Sequence, residues 1–192
     1  MALLWDAVAT RNALLLNQGV KNLPVKLEQA TWLNYVRCHD DIGLGFDDNG
    51  ILLAGYEPAS HRRFLVDYYS GRFHGSVARG LPFGDNPKTG DARISGSLAP
   101  LVGLESALES GNEAAVDAAL RTIMLLHGVI FAFGGIPLLY DGDAIGTLNS
   151  LEYLADPAKA ADNRWMNRSN SGQAKDGSAP PLHLAGQGVT AA

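Results

Sequence analysis

Trp32-Leu33-Asn34-Tyr35-Val36-Arg37-Cys38-His39-Asp40-Asp41-Ile42-Gly43 is the stretch that decides how the chain is read. A β-prone apolar run, Trp32 to Val36, passes directly into a histidine and two acids and closes on a glycine. That order predicts a buried strand presenting polar groups at its carboxyl end. In parallel α/β folds this is the end where loops converge and chemistry is placed.

Ahead of this stretch, Leu3 to Gln18 predicts one helix. Leu3, Leu4, Ala7, Val8, Leu14 and Leu15 share a face, and Gly19 stands as the stop. Arg11 interrupts that stripe and is expected to snorkel or to pair with an acid beneath the helix. A helix entering a strand without a hairpin turn is the unit of a parallel sheet. Behind the stretch, Ile42 to Gly111 is rich in glycine, aromatics and arginine, with two helical pieces at Ser60 to Tyr69 and Leu98 to Leu108. The run Asn86 to Gly96 between them is dominated by turn formers. A connection this long is functional or a small subdomain rather than slack.

Regularity returns at Asn112, an N-cap followed by Glu113 in the first helical turn. Val116, Ala119, Leu120, Ile123 and Ile130 share a face up to Gly134-Gly135. His127 lies on that face and reads as a core residue rather than a ligand. Ile136 to Tyr140 then predicts a second buried strand ending in Asp141-Gly142-Asp143. Helix, strand, long excursion, helix and strand make two successive units of an α/β barrel or doubly wound sheet. The expected segments are 1–41, 42–111, 112–165 and a disordered tail over 166–192, where serine, glycine, alanine and proline prevail.

Composition bounds the function. With 46% hydrophobic and 18% charged residues over 192 positions, the chain can build one domain with a core. Its net charge of -5 offers no basic surface for nucleic acid or anionic membrane. The lone Cys38 excludes an intrachain disulfide and zinc sites built on several thiolates. No run approaches the roughly 20 apolar residues of a membrane span, and no signal peptide is visible, so the expectation leans to the cytoplasm unless Met1 is not the native start.

His39-Asp40-Asp41 supports several chemistries by spacing alone. A carboxylate at a strand end can steady a developing positive charge, and a neighbouring histidine can bind a sugar hydroxyl or a phosphate oxygen. His39 and Asp40 could instead ligate a divalent metal for hydrolysis. They could also be no more than a polar strand end with an Asp capping a turn. Retaining cleavage of a glycosidic bond takes two carboxylates about 5 Å apart, one attacking carbon and one protonating the leaving oxygen.

The wider sequence resembles a family. Leu33 to Gly43 is similar to the last catalytic-strand motif of the amylosucrases, sucrose-acting members of the α-amylase superfamily, glycoside hydrolase family 13. Trp5 to Leu15 resembles the helix ahead of that strand. Arg72 to Phe83 and Asn86-Pro87-Lys88-Thr89-Gly90-Asp91-Ala92-Arg93 resemble the amylosucrase insertion. Gly135 to Tyr140 with Gly142-Asp143 resembles the final barrel strand. The likeness covers residues 1 to about 168.

The resemblance implies a partial TIM (β/α)8 barrel, its last two strand-helix units, with a long insertion after the strand carrying His39-Asp40-Asp41. It implies a glucosyltransferase or glycoside hydrolase acting on sucrose and α-glucans without a cofactor or metal. His39 would bind hydroxyls of the glucosyl ring, and Asp40 would be the third catalytic carboxylate, stabilising the oxocarbenium-like transition state. Asp41 and Arg93 would line the acceptor subsite. Arg164 would close the glucosyl subsite through a salt bridge to an acid earlier in the family's chain. The family's nucleophile, its acid/base and its β-sandwich domain have no counterpart in the sequence. Cys38 stands where serine is expected, and Ala144 where the family's Gly-Asp-Glu pattern places glutamate. The isolated chain is therefore expected to be inactive, and to be marginally stable, aggregation-prone or dependent on a complementing barrel half. The alternatives are a non-catalytic carbohydrate-binding remnant and a metal-dependent hydrolase built on His39 and Asp40.

Overall fold

The computed structural model describes residues 1–86, 88 and 90–168. The expected first helix is two helices, α1 (Ala2–Thr10) and α2 (Leu14–Lys21), and Gly19 lies inside the second rather than ending the first. The break has a local cause, because Thr and Asn side chains compete for main-chain partners. Thr10 Oγ1 donates to Asp6 O at 2.8 Å, Asn12 N donates to Thr10 Oγ1 at 3.2 Å, and Leu14 N donates to Asn12 Oδ1 at 2.9 Å. Arg11 adopts the left-handed conformation there, with φ 53°. It is exposed at the break and, among the described residues, has no ion pair, which corrects the expectation that it interrupts a continuous apolar stripe.

β1 (Leu33–Asn34) follows, then α3 (Asp48–Leu53), α4 (Pro58–Tyr69), β2 (Leu81–Asn86), β3 (Asp91–Ser95), α5 (Leu98–Leu101), α6 (Leu104–Ser110) and α7 (Glu113–Ala132). β4 (Ile136–Pro137), α8 (Asp141–Ala144) and 3-10 turns at Glu152–Ala155 and Asn163–Asn167 complete the order. α4 begins where Glu57 accepts from Ala59 N and Ser60 N with Pro58 in the first turn, and α7 where Asn112 Oδ1 accepts from Ala115 N.

β1 and β4 pair in parallel, Leu33 opposite Ile136, and among the described residues each has no other partner. Neither strand is buried as expected. Leu33 is 62% and Ile136 53% exposed, because no second strand flanks either. β1 is also short. The carbonyl of Val36 is taken at 2.9 Å by the indole Nε1 of Trp5 instead of by a neighbouring strand. That bond seats α1 beneath the carboxyl end of β1, and the Tyr69 hydroxyl, donating to Trp5 O, ties α4 to the same point.

The run of turn formers from Asn86 to Gly96 holds half of a hairpin that the sequence reading missed. β2 and β3 pair antiparallel, Leu81 opposite Ser95 and Phe83 opposite Arg93, with an irregularity between Phe83 and Asn86. The hairpin sits close against α4 because Gly80 has no side chain. A Cβ there would lie 2.8 Å from both Ser95 O and Tyr69 O. One apolar core runs through the whole assembly and contains Trp5, Val36, Ile42, Leu65, Ile94 and Leu126. The stretch from Ile42 to Gly111 therefore shares its core with α1 and α7. Met166 and Asn167 are buried in the last 3-10 turn, which corrects the start of the expected disordered tail. The rest of that expectation, from 169 onward, lies outside the described residues.

α7 corrects a further expectation, since by length and composition it is a helix able to cross a membrane. It buries Ala119, Leu126 and Ile130 and leaves Met124, Leu125 and Phe131 exposed. Leu33, Ile136, Leu138 and Leu139 are also exposed, so among the described residues large apolar side chains remain uncovered on α7, β1 and the segment from β4 to Leu139. The purified chain should bind an apolar-surface dye under native conditions, and Leu125→Lys should reduce its self-association while shifting the thermal midpoint little. A dye-silent monomer with a sharp thermal transition would contradict this.

Candidate functional site

The site is built at the carboxyl end of β1. After Val36 the chain turns, and Ile42 then forms a bridge to β3 in which Ile42 N donates to Ile94 O at 2.7 Å and Ile94 N to Ile42 O at 3.0 Å. The bridge sets Asp41 beside Arg93, whose Nε lies 3.2 Å from Asp41 Oδ2. The turn Asn163–Asn167 closes the other side, with Asn163 Nδ2 donating to Pro82 O at 2.7 Å. It brings Arg164 Nη1 to 3.6 Å from Asp40 and 3.9 Å from Asp41. His39, Asp40, Asp41, Arg93 and Arg164, spread over 126 positions from 39 to 164, thus meet in one cluster.

Within it the side chains divide by exposure. His39 is 63% and Asp40 44% exposed, with His39 Nε2 3.5 Å from Asp40 Oδ2. Asp41 is only 6% exposed and lies between two guanidinium groups, which compensate a carboxylate withdrawn from water. The open pair can receive a ligand, and the covered one holds its shape. An imidazole nitrogen beside a carboxylate oxygen at this separation can bind two adjacent hydroxyls of a sugar ring, the carboxylate accepting and the imidazole donating or accepting with its tautomer.

Arg164 departs from the resemblance in its partner. Its Nε and Nη2 each lie 2.8 Å from the carboxylate of Asp162, a two-point pair within the chain. That pairing holds the Asp162 carboxyl below its usual range and raises the Arg164 guanidinium above its own. Four contributors were not read from the sequence. Phe83 lies under Arg164 and Arg93, its ring centre 4.6 and 4.9 Å from their guanidinium carbons. Asp162 pairs with Arg164, while Arg168 and Asn167 hold the backbone of His39. Arg164-Trp165-Met166-Asn167-Arg168, with arginines four apart, was the available signal for the last two.

Asp143 does not serve the cluster. It is buried with Arg37, Nη1 to Oδ1 at 3.3 Å, and accepts from Leu98 N at 3.1 Å to start α5. Arg37 also lies over the Tyr140 ring at 4.9 Å, while its Nε and Nη2 are buried and have no acceptor among the described residues. Burial raises the Asp143 pKa to about 6, and burial lowers that of Arg37, so for both groups desolvation outweighs their attraction. His127, half-buried on α7, has its pKa lowered by burial and lies outside the cluster. Among the described residues no three His, Cys, Asp or Glu side chains come together to hold a metal ion. No known protein-family model matches the chain.

The raised Asp143 pKa fixes the sign of a pH effect. Its contribution to stability is fully present below the unfolded value of 3.8 and is lost as pH rises through about 6. Asp143→Asn should remove this dependence, so that the variant gains on the parent by up to about 1.4 kcal/mol per pH unit between those values. Urea midpoints measured across that range test it, and parallel profiles for the two proteins would count against it.

Proposed function

We propose that these residues carry the sugar-holding part of a glucosyl-transferring barrel similar to the amylosucrases, acting on sucrose or α-glucan chains. The observation that carries this reading is the convergence of His39, Asp40, Asp41, Arg93 and Arg164, the positions that the resemblance marks, from three separated segments onto one strand end. Parallel pairing of β1 with β4, with an excursion and a helix between them, agrees with two neighbouring barrel strands.

In this reading the glucosyl ring sits on the exposed face of His39 and Asp40. Asp40 Oδ2 accepts from a ring hydroxyl while His39 binds the hydroxyl beside it. As the glycosidic bond lengthens, positive charge grows on the ring, and the fixed carboxylate of Asp40 stabilises it without having to reorient. Asp41 and Arg93 form the wall toward the acceptor, where fructose leaves or a glucan end enters. Asp40 and Asp41 are both engaged by arginines, which suits carboxylates that are held in place to orient a ring. The nucleophile and the acid have no counterpart among the residues that carry the resemblance. The 192 residues alone should therefore bind sugar without turning it over.

Isothermal calorimetry with sucrose and maltotriose, beside an assay for free fructose, tests this. The parent should bind saturably, Asp40→Asn should weaken binding by roughly tenfold or more, and neither should release fructose. Absence of binding would refute the sugar site, and sustained fructose release would refute the division of labour. Chelator-sensitive hydrolysis would favour metal chemistry at His39 and Asp40.

A further inference from the structure

The geometry points to Arg168 as the positioning residue of the sugar site, acting through His39 and Asp40 rather than on the sugar; this rests on the carbohydrate reading above. Its Nη2 donates to Asp40 Oδ1 at 2.6 Å and its Nε to the main-chain oxygen of His39 at 3.0 Å. One planar guanidinium thus holds the backbone of one residue and the side chain of the next. Asp40 Oδ1 is the oxygen that both Arg168 and, at 3.6 Å, Arg164 engage, which leaves Oδ2 on the His39 side, 3.5 Å from Nε2. Engagement of one carboxylate oxygen restricts rotation of the side chain and so keeps the other beside His39 Nε2, where the carbohydrate reading places a ring hydroxyl.

Arg168 is itself held. Its guanidinium carbon lies 5.3 Å from the Trp165 ring centre, a contact that favours a flat cation. Its neighbour Asn167 donates from Nδ2 to the same His39 oxygen at 3.0 Å and accepts from Gly96 N at 3.3 Å. The Asn167 carbonyl accepts from the Tyr140 hydroxyl at 3.2 Å. Two donors from consecutive residues therefore meet on one carbonyl, and their support reaches the end of β3 and the start of α8. A lysine at 168 would keep the charge near Asp40 but lacks the rigid fork that serves two acceptors at fixed angles.

The full-length chain with Arg168→Gln and Arg168→Lys, titrated with maltotriose, tests the assignment. Arg168→Gln should lose roughly tenfold in affinity, and Arg168→Lys should fall between it and the parent. The Arg168→Gln loss should shrink in an Asp40→Asn background, since the two residues act as one unit. The thermal midpoint should move little, because Arg168 lies at the edge of the core. A parent that binds while Arg168→Gln binds equally well would overturn the assignment alone. If Arg168→Gln lacks a thermal transition, an Arg168→Lys affinity equal to the parent's overturns it instead. A parent that binds no maltotriose sinks the carbohydrate reading and this role together.

Discussion

Two main-chain hydrogen bonds between Ile42 and Ile94 are what the candidate site depends on. They carry no chemistry, yet they join the chain leaving β1 to β3 near the open end of the β2–β3 hairpin. Both isoleucines are fully buried, so water does not compete for those bonds. Asp41 and Arg93 are their immediate neighbours in sequence and become an ion pair because the bridge leaves them side by side. The Asn163–Asn167 turn then rests on Pro82 and Phe83 of the same hairpin and delivers Arg164 to the opposite side of the two aspartates. A sheet bridge thus becomes a charge arrangement, with Asp41 covered and His39 and Asp40 left half-open to solvent.

The chain accepts two costs around this edge. Arg37 and Asp143 are withdrawn from water with one guanidinium nitrogen, Nη1, at 3.3 and 3.4 Å from the two carboxylate oxygens, and two Arg37 donors have no acceptor among the described residues. Such a pair stabilises little by itself, although removing one partner would leave the other buried and uncompensated. It does tie the strand end at Arg37 to α8 and, through Leu98 N, to the start of α5. The second cost is apolar surface on β1, β4 and the outer face of α7. Parallel strands are ordinarily buried on both faces within larger sheets, and here two of them stand alone.

The residues of the candidate cluster were marked by the family resemblance, since spacing alone left His39-Asp40-Asp41 open to several chemistries. His39-Asp40-Asp41 follows an apolar run, Arg93 sits among turn formers, and Arg164 precedes a tryptophan in a polar stretch. Asn112-Glu113, a capping signal independent of distant contacts, located α7, whereas α4 was expected from Ser60 and begins two residues earlier, where Glu57 caps it. What escaped depends on partners far away in sequence. The length of β1 is set by Trp5 taking the Val36 carbonyl, and the β2–β3 ladder hides within glycine and proline that read as turn. Thr10 and Asn12 broke a helix that its hydrophobic spacing would have continued. Arg168 gains its role from the His39 carbonyl, 129 residues away, a contact that no pattern announces.

The central claim is that the end of β1 is a sugar site shared by residues from three segments. It is tested most directly by nuclear magnetic resonance titration of the labelled chain with sucrose, following the His39 ring, the amides of Asp40 and Asp41, and the Nε–H groups of Arg93 and Arg164. All should shift together and saturate with one Kd. Signals that stay fixed at these positions, or that shift with unrelated affinities, would contradict the account.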